Sequence, residues 1–311
     1  MSTFWAFPGQ GAQQAGMLHA LPDDALVGEC LREASDALNE DVLALDTADA
    51  LRSTRSVQLC LLIAGVACAR LLMTRGHTPD FVAGLSIGAY PAAVVAGALT
   101  FSDAVRLVAL RGELMQNAYP QGYGMTALIG LEQGVVEGLI QQVHGARSPV
   151  FLANINADNQ FVIAGSDEAM AHVAALAKAQ GAAAAKRLAV SVPSHCELLT
   201  ASAHTLAEAF AQVCVQTPTL KYLSGSTARP VYTAEKLRGD LAFNMCRVID
   251  WRSTVQTAYE RGARLHIELP PGTVLTGLAR KVFEQGSAVA FQGARLDTLS
   301  ALSREEESRH P

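Results

Sequence analysis

Residues 84–88 read "GLSIG", a Gly-x-Ser-x-Gly pentapeptide that follows the apolar run "DFVAG" and opens the small-residue pattern "YPAAVVAGAL". A strand, a tight turn and a helix in that order would set Ser86 on a nucleophile elbow. Gly84 and Gly88 would leave room where a Cβ would crowd the neighbouring elements. The start of the helix would favour negative charge on an oxygen under attack. The same five residues also suit an ordinary strand-to-helix turn with a serine N-cap, so a second group is required. His195 in "VPSHC" is that group: it follows a strand and a Pro-Ser turn, where an imidazole can serve Ser86 as general base. A lone loop histidine can also be plain surface. Cys196 would be a nucleophile only in an electropositive setting and is read as structural.

Two further features bear on the substrate. Arg111 lies on the otherwise apolar helical stretch "FSDAVRLVALRGELM". Turned inward, it would be costly without an anion, and its planar fork suits a carboxylate. Arg106 on the same stretch is read as a surface arginine with a buried stem. The turn "FPGQG" at 7–11 directly follows the first strand, and its backbone N–H groups can face an oxyanion or simply make a tight turn.

These residues need an α/β scaffold, and the chain alternates short apolar runs with long Ala/Leu-rich helical patterns. Strands are expected at "TFWAF" and "FVAGL", with helices near 25–39 and 55–75. From 125 to 190 the pattern becomes strand "MTALIGL", helix 132–145, strands "VFLANIN" and "QFVIAG" joined by "ADN", helix 167–180 and strand "AKRLAV". That β-α-β-β-α-β order is the split ferredoxin-like unit. It predicts a small subdomain over 124–190 inserted into a larger domain formed by 1–123 and 191–311. After it come "SVPSHCELL", two helical stretches, strand "LHIEL" and the turn "PPG".

The composition excludes several classes. With 24 Lys and Arg against 29 Asp and Glu in 311 residues, the net charge of −5 argues against nucleic-acid binding. The most apolar window, "VQLCLLIAGVACARLLM", is broken by Arg70 and reads as a buried helix, with no membrane span expected. No secretory leader is apparent at the N-terminus. The six cysteines show no metal spacing and fit free thiols in the cytoplasm. No metal site is expected, and "REEESRH" at the end is expected to fray.

Taken in order, "FPGQGAQ", "GLSIG", "LRGELMQ", "ANINADNQFVIAG", "VSVPSHC" and "PPGTVLTGL" resemble the malonyl-CoA:acyl-carrier-protein transacylases over residues 4 to about 280. The resemblance implies an α/β-hydrolase-like larger domain with an inserted ferredoxin-like small subdomain. It also implies a ping-pong S-malonyltransferase with no bound cofactor: Ser86 attacks the thioester, His195 takes and returns the proton, and a malonyl-serine passes its acyl group to a carrier thiol. It places the oxyanion hole at the N–H groups of Gln10 and Ile87, and pairs Arg111 with the free malonyl carboxylate. Asn154 and Asn156 match asparagines near the substrate. It holds the histidine ring through backbone carbonyls, with no acidic third member.

Departures from the fatty-acid pattern occur at Leu85, where that pattern has histidine, at Ala89, where it has glutamate, and at Asn244, where it has glutamine; Leu85 and Asn244 join the substrate-binding candidates. "GLSIGAYPAAV", "RGELMQ" with "AYPQGYGM", and "NMCRVIDW" resemble the ε subunit of biotin-independent malonate decarboxylase. That resemblance implies a carrier subunit bearing a phosphoribosyl-dephospho-CoA arm in place of phosphopantetheine, with other decarboxylase subunits as partners. Exposed Lys186, Arg247 and Lys281 are docking candidates for an acidic carrier. Two other classes compete. A serine thioesterase would order its triad Ser, acid, His with the histidine near the C-terminus, whereas more than a hundred residues follow His195. A scaffold that only docks a carrier would have no need of Ser86, His195 and Arg111 together.

Overall fold

The apolar runs condense into two five-stranded sheets. In the computed structural model, residues 2–308 are described. β1 (Ser2–Phe7) leads through α1 (Ala25–Leu38) and α2 (Thr54–Thr74) to β2 (Phe81–Gly84), α3 (Ala89–Val95) and α4 (Phe101–Ala118). Next come β3 (Tyr123–Ile129), α5 (Gln133–Val143), β4 (Val150–Ala157), β5 (Gln160–Ser166), α6 (Asp167–Ala179) and β6 (Ala184–Arg187). The chain continues with α7 (Thr200–Ala209), β7 (Lys221–Tyr222), α8 (Ala234–Phe243), β8 (Ile249–Asp250) and α9 (Trp251–Glu260). It ends in β9 (Ala263–Glu268), α10 (Val274–Ala279), β10 (Ser287–Ala290) and α11 (Leu296–Ser308).

The first sheet is wholly parallel, in the order β10-β9-β1-β2-β7. Helices cover it, so β1 and β2 are buried on both faces and read as continuous apolar runs. The chain leaves β1 toward β2 and returns much later to β9 on the other side. Such a reversal opens a crevice at the carboxyl ends of the strands, where ligands bind in open α/β sheets. Helix α2 is long and apolar enough to cross a membrane, but 83% of that apolar window is buried inside the fold. Its Arg70 donates to Glu33 at 2.7 Å and lies over the Phe101 ring.

The second sheet has the order β6-β3-β5-β4-β8. Its first four strands are antiparallel and show the ferredoxin-like arrangement expected from the β-α-β-β-α-β pattern. Val136, Leu139, Ile140 and Val143 of α5 and Met170, Val173 and Ala177 of α6 recur at helical spacing. They pack on Phe161 and Ile163 of β5. The alternate residues, Val162 and Ala164, face the other way and cluster with Cys196. The fifth strand, β8, is parallel to β4 and comes from outside residues 124–190.

Several expectations change. Strand "AKRLAV" stops at Arg187, whose guanidinium donates to the carbonyls of Met125, Leu188, Tyr123 and Val190 where a ladder would otherwise continue. Three helices, not two, lie between His195 and β9. β7 and β8 have two residues each, too few to display a period. The segment "REEESRH" does not fray over 304–308 but continues α11, which Leu299 anchors in the main core; Arg309 and His310 lie outside the described residues.

The elbow rests on backbone contact. A Cβ on Gly84 would overlap the Gly88 carbonyl and the Ala89 nitrogen, and one on Gly88 would overlap the carbonyls of Phe7 and Pro8. Neither obstacle is a movable side chain. Gly88→Ala should therefore cost about 3 kcal/mol or more of unfolding free energy. By contrast, Gly138→Ala in α5, where an added methyl meets nothing within 4 Å, should gain about 0.5–1 kcal/mol. Denaturant melts of the two variants check both signs.

Candidate active site

Ser86 sits at the carboxyl end of β2, in a 3-10 turn (Ser86–Gly88) that runs directly into α3. Its φ of 57° is left-handed, a conformation that costs a non-glycine residue about 1 kcal/mol or more. The cage around it holds that conformation: Leu85 N–H donates to the Phe7 carbonyl at 2.9 Å, and Gly88 N–H donates to the Leu85 carbonyl at 3.0 Å. Through the first of these bonds and the Gly88 contact, the 7–11 turn lies against the elbow. Gln10 and Ile87 thus follow adjacent parallel strands at the same end of the sheet. Asp46 ties down the loop beyond them, its carboxylate accepting from the N–H groups of Leu18 and His19.

Arg111, on α4, is fully buried. Its Nη1 donates to Gln58 Oε1 at 2.6 Å. Its Nη2 donates to Asn244 Oδ1 at 3.1 Å and to Ser86 Oγ at 3.3 Å. The guanidinium lies 5.9 Å from the Tyr90 ring, and its Nε has no partner. Among the described residues no carboxylate pairs with it. Burial draws its pKa down to about 10, which still leaves it cationic at neutral pH. A buried cation lacking an anion is a receptor for one.

His195 also has a left-handed backbone, with φ 64°, and is 2% exposed. Its N–H donates to the Met245 carbonyl at 2.7 Å, which fixes the turn. The ring is held by a main-chain carbonyl and not by an acid: Nδ1 lies 2.7 Å from Asn244 O. A carbonyl can only accept, so Nδ1 carries the hydrogen and Nε2 is the free base. Burial pulls the pKa from 6.5 to about 4, with the Arg111 charge adding to the fall and backbone hydrogen bonds opposing it. The imidazole is therefore neutral and able to take a proton at pH 7.

Asn244 connects all three groups. Its carbonyl holds His195, its Oδ1 accepts from Arg111, and its Nδ2 donates to the Ser86 carbonyl at 3.2 Å. It stands in a short 3-10 turn (Asn244–Cys246) between α8 and β8, so β8 pairing with β4 anchors the segment to the second sheet.

The other residues expected from sequence are placed less centrally. Asn154 and Asn156 lie on β4, each with a buried Oδ1 that has no hydrogen-bond partner, and neither bonds to the Ser86, Arg111 and His195 group. Leu85 is half-buried and packs over the 7–11 turn, where a Cβ on Gly9 would come within 2.9 Å of its carbonyl. Cys196 is buried, donates to the Pro193 carbonyl and has its thiol pKa pushed up to about 12 by burial, which makes it a poor nucleophile. Arg106 is exposed and donates to Asp103. Lys186, Arg247 and Lys281 are exposed on three separate segments, Arg247 lying over the Phe243 ring.

Gln58 was not singled out from sequence. A lone amide in the apolar run "VQLCLLIAG" was the available signal, because a fully buried glutamine in a core helix must find partners. Tyr90, whose ring flanks Arg111 and whose hydroxyl donates to the Leu241 carbonyl, was hidden in the same way. A separate cavity of about 300 Å³, lined by Gln14, Met17, Leu21, Cys68, Pro271 and Phe291, contains none of these groups. Among the described residues no cluster of His, Cys, Asp or Glu could hold a metal ion.

The arrangement has the groups that acyl transfer needs: a strained serine, a neutral imidazole held by a carbonyl, a turn beside that serine, and a buried cation with no carboxylate partner among the described residues. Residues 4–308 match the acyl transferase domain family. The chain is 37% identical to the malonyl CoA-acyl carrier protein transacylases of Haemophilus influenzae, over 91% of this chain and 93% of that one, and of Escherichia coli K12, over 92% and 94%. It superposes on the malonyl CoA-acyl carrier protein transacylase of Coxiella burnetii with a TM-score of 0.92 at 35% identity, covering 98% of both chains. It also superposes on a structure of a type II PKS acyl-carrier protein in complex with its malonyl-transacylase, with a TM-score of 0.91 at 35% identity, covering 98% of this chain and all of that one. With this fold and this match over nearly its whole length, the chain belongs to the acyl transferase domain family, in its malonyl CoA-acyl carrier protein transacylase branch.

Proposed function

We propose that the protein carries a malonyl group from malonyl-CoA, by way of an ester on Ser86, to the prosthetic-group thiol of an acyl carrier protein. The observation that carries the assignment of residues is the buried, acid-free Arg111 guanidinium 3.3 Å from Ser86 Oγ. Malonyl differs from acetyl by a free carboxylate one methylene beyond the reacting carbonyl, so a cation beside the nucleophile recognises that difference. Ser86 Oγ attacks the thioester carbonyl while His195 Nε2 takes its proton. The N–H groups of Gln10 and Ile87 receive the oxyanion, and loss of one such donor typically costs roughly 10²–10³ in rate. Collapse breaks the C–S bond, and the departing CoA thiolate recovers the proton from His195. The carrier thiol then attacks the ester, its proton passes through His195, and Ser86 leaves as the hydroxyl.

The relatives favour a carrier of fatty-acid or polyketide synthesis. A second reading is the carrier subunit of malonate decarboxylase, with its phosphoribosyl-dephospho-CoA arm and companion subunits. Leu85 and Ala89 beside the nucleophile and Asn244 at the centre of the bond network favour it, since these are the positions that depart from the fatty-acid pattern. Intact-mass spectrometry after malonyl-CoA addition should show a malonyl increment that Ser86→Ala removes. An increment retained by Ser86→Ala overturns the nucleophile. Discharge of the adduct by a fatty-acid carrier, a polyketide carrier or a decarboxylase carrier then selects the acceptor.

Arg111→Ala should erase the preference for malonyl-CoA over acetyl-CoA, lowering the ratio of acylation rates about 100-fold because the carboxylate is left without its buried partner. An unchanged ratio contradicts the role. His195 yields a pH prediction. Its folded pKa of about 4 lies below the ordinary 6.5, so the base stays unprotonated between those values. Single-turnover acylation should persist well below pH 6.5 and decline near pH 4. In the same window the unfolded chain binds the extra proton, so this residue's effect on stability is absent above pH 6.5 and becomes increasingly unfavourable down to about pH 4. An acylation midpoint near pH 6.5 would show that the ring is solvated.

A further inference from the structure

We propose that Gln58 and Asn244 act as a charge-neutral amide clamp that aims the Arg111 guanidinium and leaves its positive charge unspent, making these two positions determinants of acyl specificity. The inference rests on the malonyl-transfer reading and adds residues to it.

The clamp follows from which end of each amide faces the arginine. Gln58 Nε2 donates to Gln10 Oε1 and to Met115 Sδ, both at 3.3 Å, and each partner atom is an acceptor. Asn244 Nδ2 likewise donates to the Ser86 carbonyl. With both nitrogens committed to acceptors, both oxygens must turn toward Arg111, where they accept from Nη1 and Nη2. The two terminal nitrogens are thereby held in one plane and direction, with Nη2 reaching Ser86 Oγ. Gln58 is 0% and Asn244 2% exposed, so water has little access to either amide.

Neutrality is the consequential property. Carboxylates at these two positions would accept from Arg111 equally well, though they would lose the bonds that the amide nitrogens donate, and buried arginines are ordinarily paired with acids. A carboxylate there would cancel the guanidinium charge in a site of low polarity, and a substrate carboxylate would then meet a neutral pair flanked by a like charge. Amide oxygens satisfy the same N–H groups while leaving the full charge for the acyl group. Gln58 also bonds the side chain of Gln10, so the element that aims the arginine contacts the turn assigned to the oxyanion.

The test compares acylation of the full-length chain by malonyl-CoA and by acetyl-CoA, taking the ratio of the two kcat/KM values within each variant. Such a ratio is insensitive to the folded fraction. Gln58→Glu should lower the malonyl-to-acetyl ratio by about 30-fold or more, chiefly through malonyl-CoA, because it inserts an anion against Arg111. Gln58→Met, which loses the aiming bonds but adds no charge, should lower the ratio by a smaller factor than Gln58→Glu. Asn244→Asp keeps the carbonyl that holds His195 and should act like Gln58→Glu; it carries the test if Gln58→Glu does not fold. Ratios within about threefold of wild type in both acidic variants overturn the clamp, as does an equal fall for both donors. Arg111→Ala separates the layers. If it abolishes a wild-type malonyl preference that the acidic variants keep, the clamp alone fails; a wild-type chain with no malonyl preference overturns the underlying reading as well.

Discussion

A guanidinium withdrawn from water without a carboxylate to meet it is the constraint on which the site depends. Burying a charge costs several kcal/mol even after relaxation, and here two amide oxygens, a serine hydroxyl and the face of Tyr90 offset only part of that. The remainder is available to an incoming anion. To hold Arg111 in this state, α4 must present it beside α2, which supplies Gln58, beside the elbow, which supplies Ser86, and beside the turn at Asn244–Cys246. Four segments far apart in the chain therefore meet around one side chain.

The backbone bears a second constraint. Ser86 and His195 both have left-handed φ, and they are two of only four such non-glycine positions among the described residues. Strain of this kind persists where the surroundings over-determine the geometry. At Ser86 the restraint is the bond from Leu85 N–H to the Phe7 carbonyl and main-chain packing at Gly84 and Gly88 too close to admit a Cβ; at His195 it is the pair of 2.7 Å bonds to the Asn244 and Met245 carbonyls. The parallel pairing of β1 with β2 brings the 7–11 turn to the elbow, while β8 ties the segment that holds His195 to the second sheet. Ser86, His195 and Arg111 are thus fixed by the same packing that makes the two sheets.

Much of this architecture was legible in the chain. The β-α-β-β-α-β order showed in alternating and helical periods because both helices of that unit have one apolar face and its β5 strand has two distinct faces. Strands β1 and β2 were legible as apolar runs, and the steric need for glycine at both elbow positions holds in the structure. The short strands β7 and β8 were not, since two residues carry no period. Strand β6 was overestimated because the guanidinium of its last residue, Arg187, takes the Tyr123 and Val190 carbonyls that a longer ladder would have used, and α11 was underestimated because its charged end is held by an apolar residue further back.

Residue types and their order determined that this chain has a serine on a strand-to-helix turn, a loop histidine, and an arginine on an apolar helix. Those are properties of local sequence, governed by steric allowance and periodicity. What only the tertiary structure decided is which groups meet. Gln58 appears in the chain as one polar residue in a core helix, and Asn244 as one departure from a pattern, yet together they aim the arginine, and Asn244 also holds the base. The neutral state of His195 was equally beyond the sequence, because desolvation is a property of the packed environment and not of the residue. Hydrogen bonds and burial between distant segments exist only once the chain has closed on itself, and they turn three suggestive residues into a site.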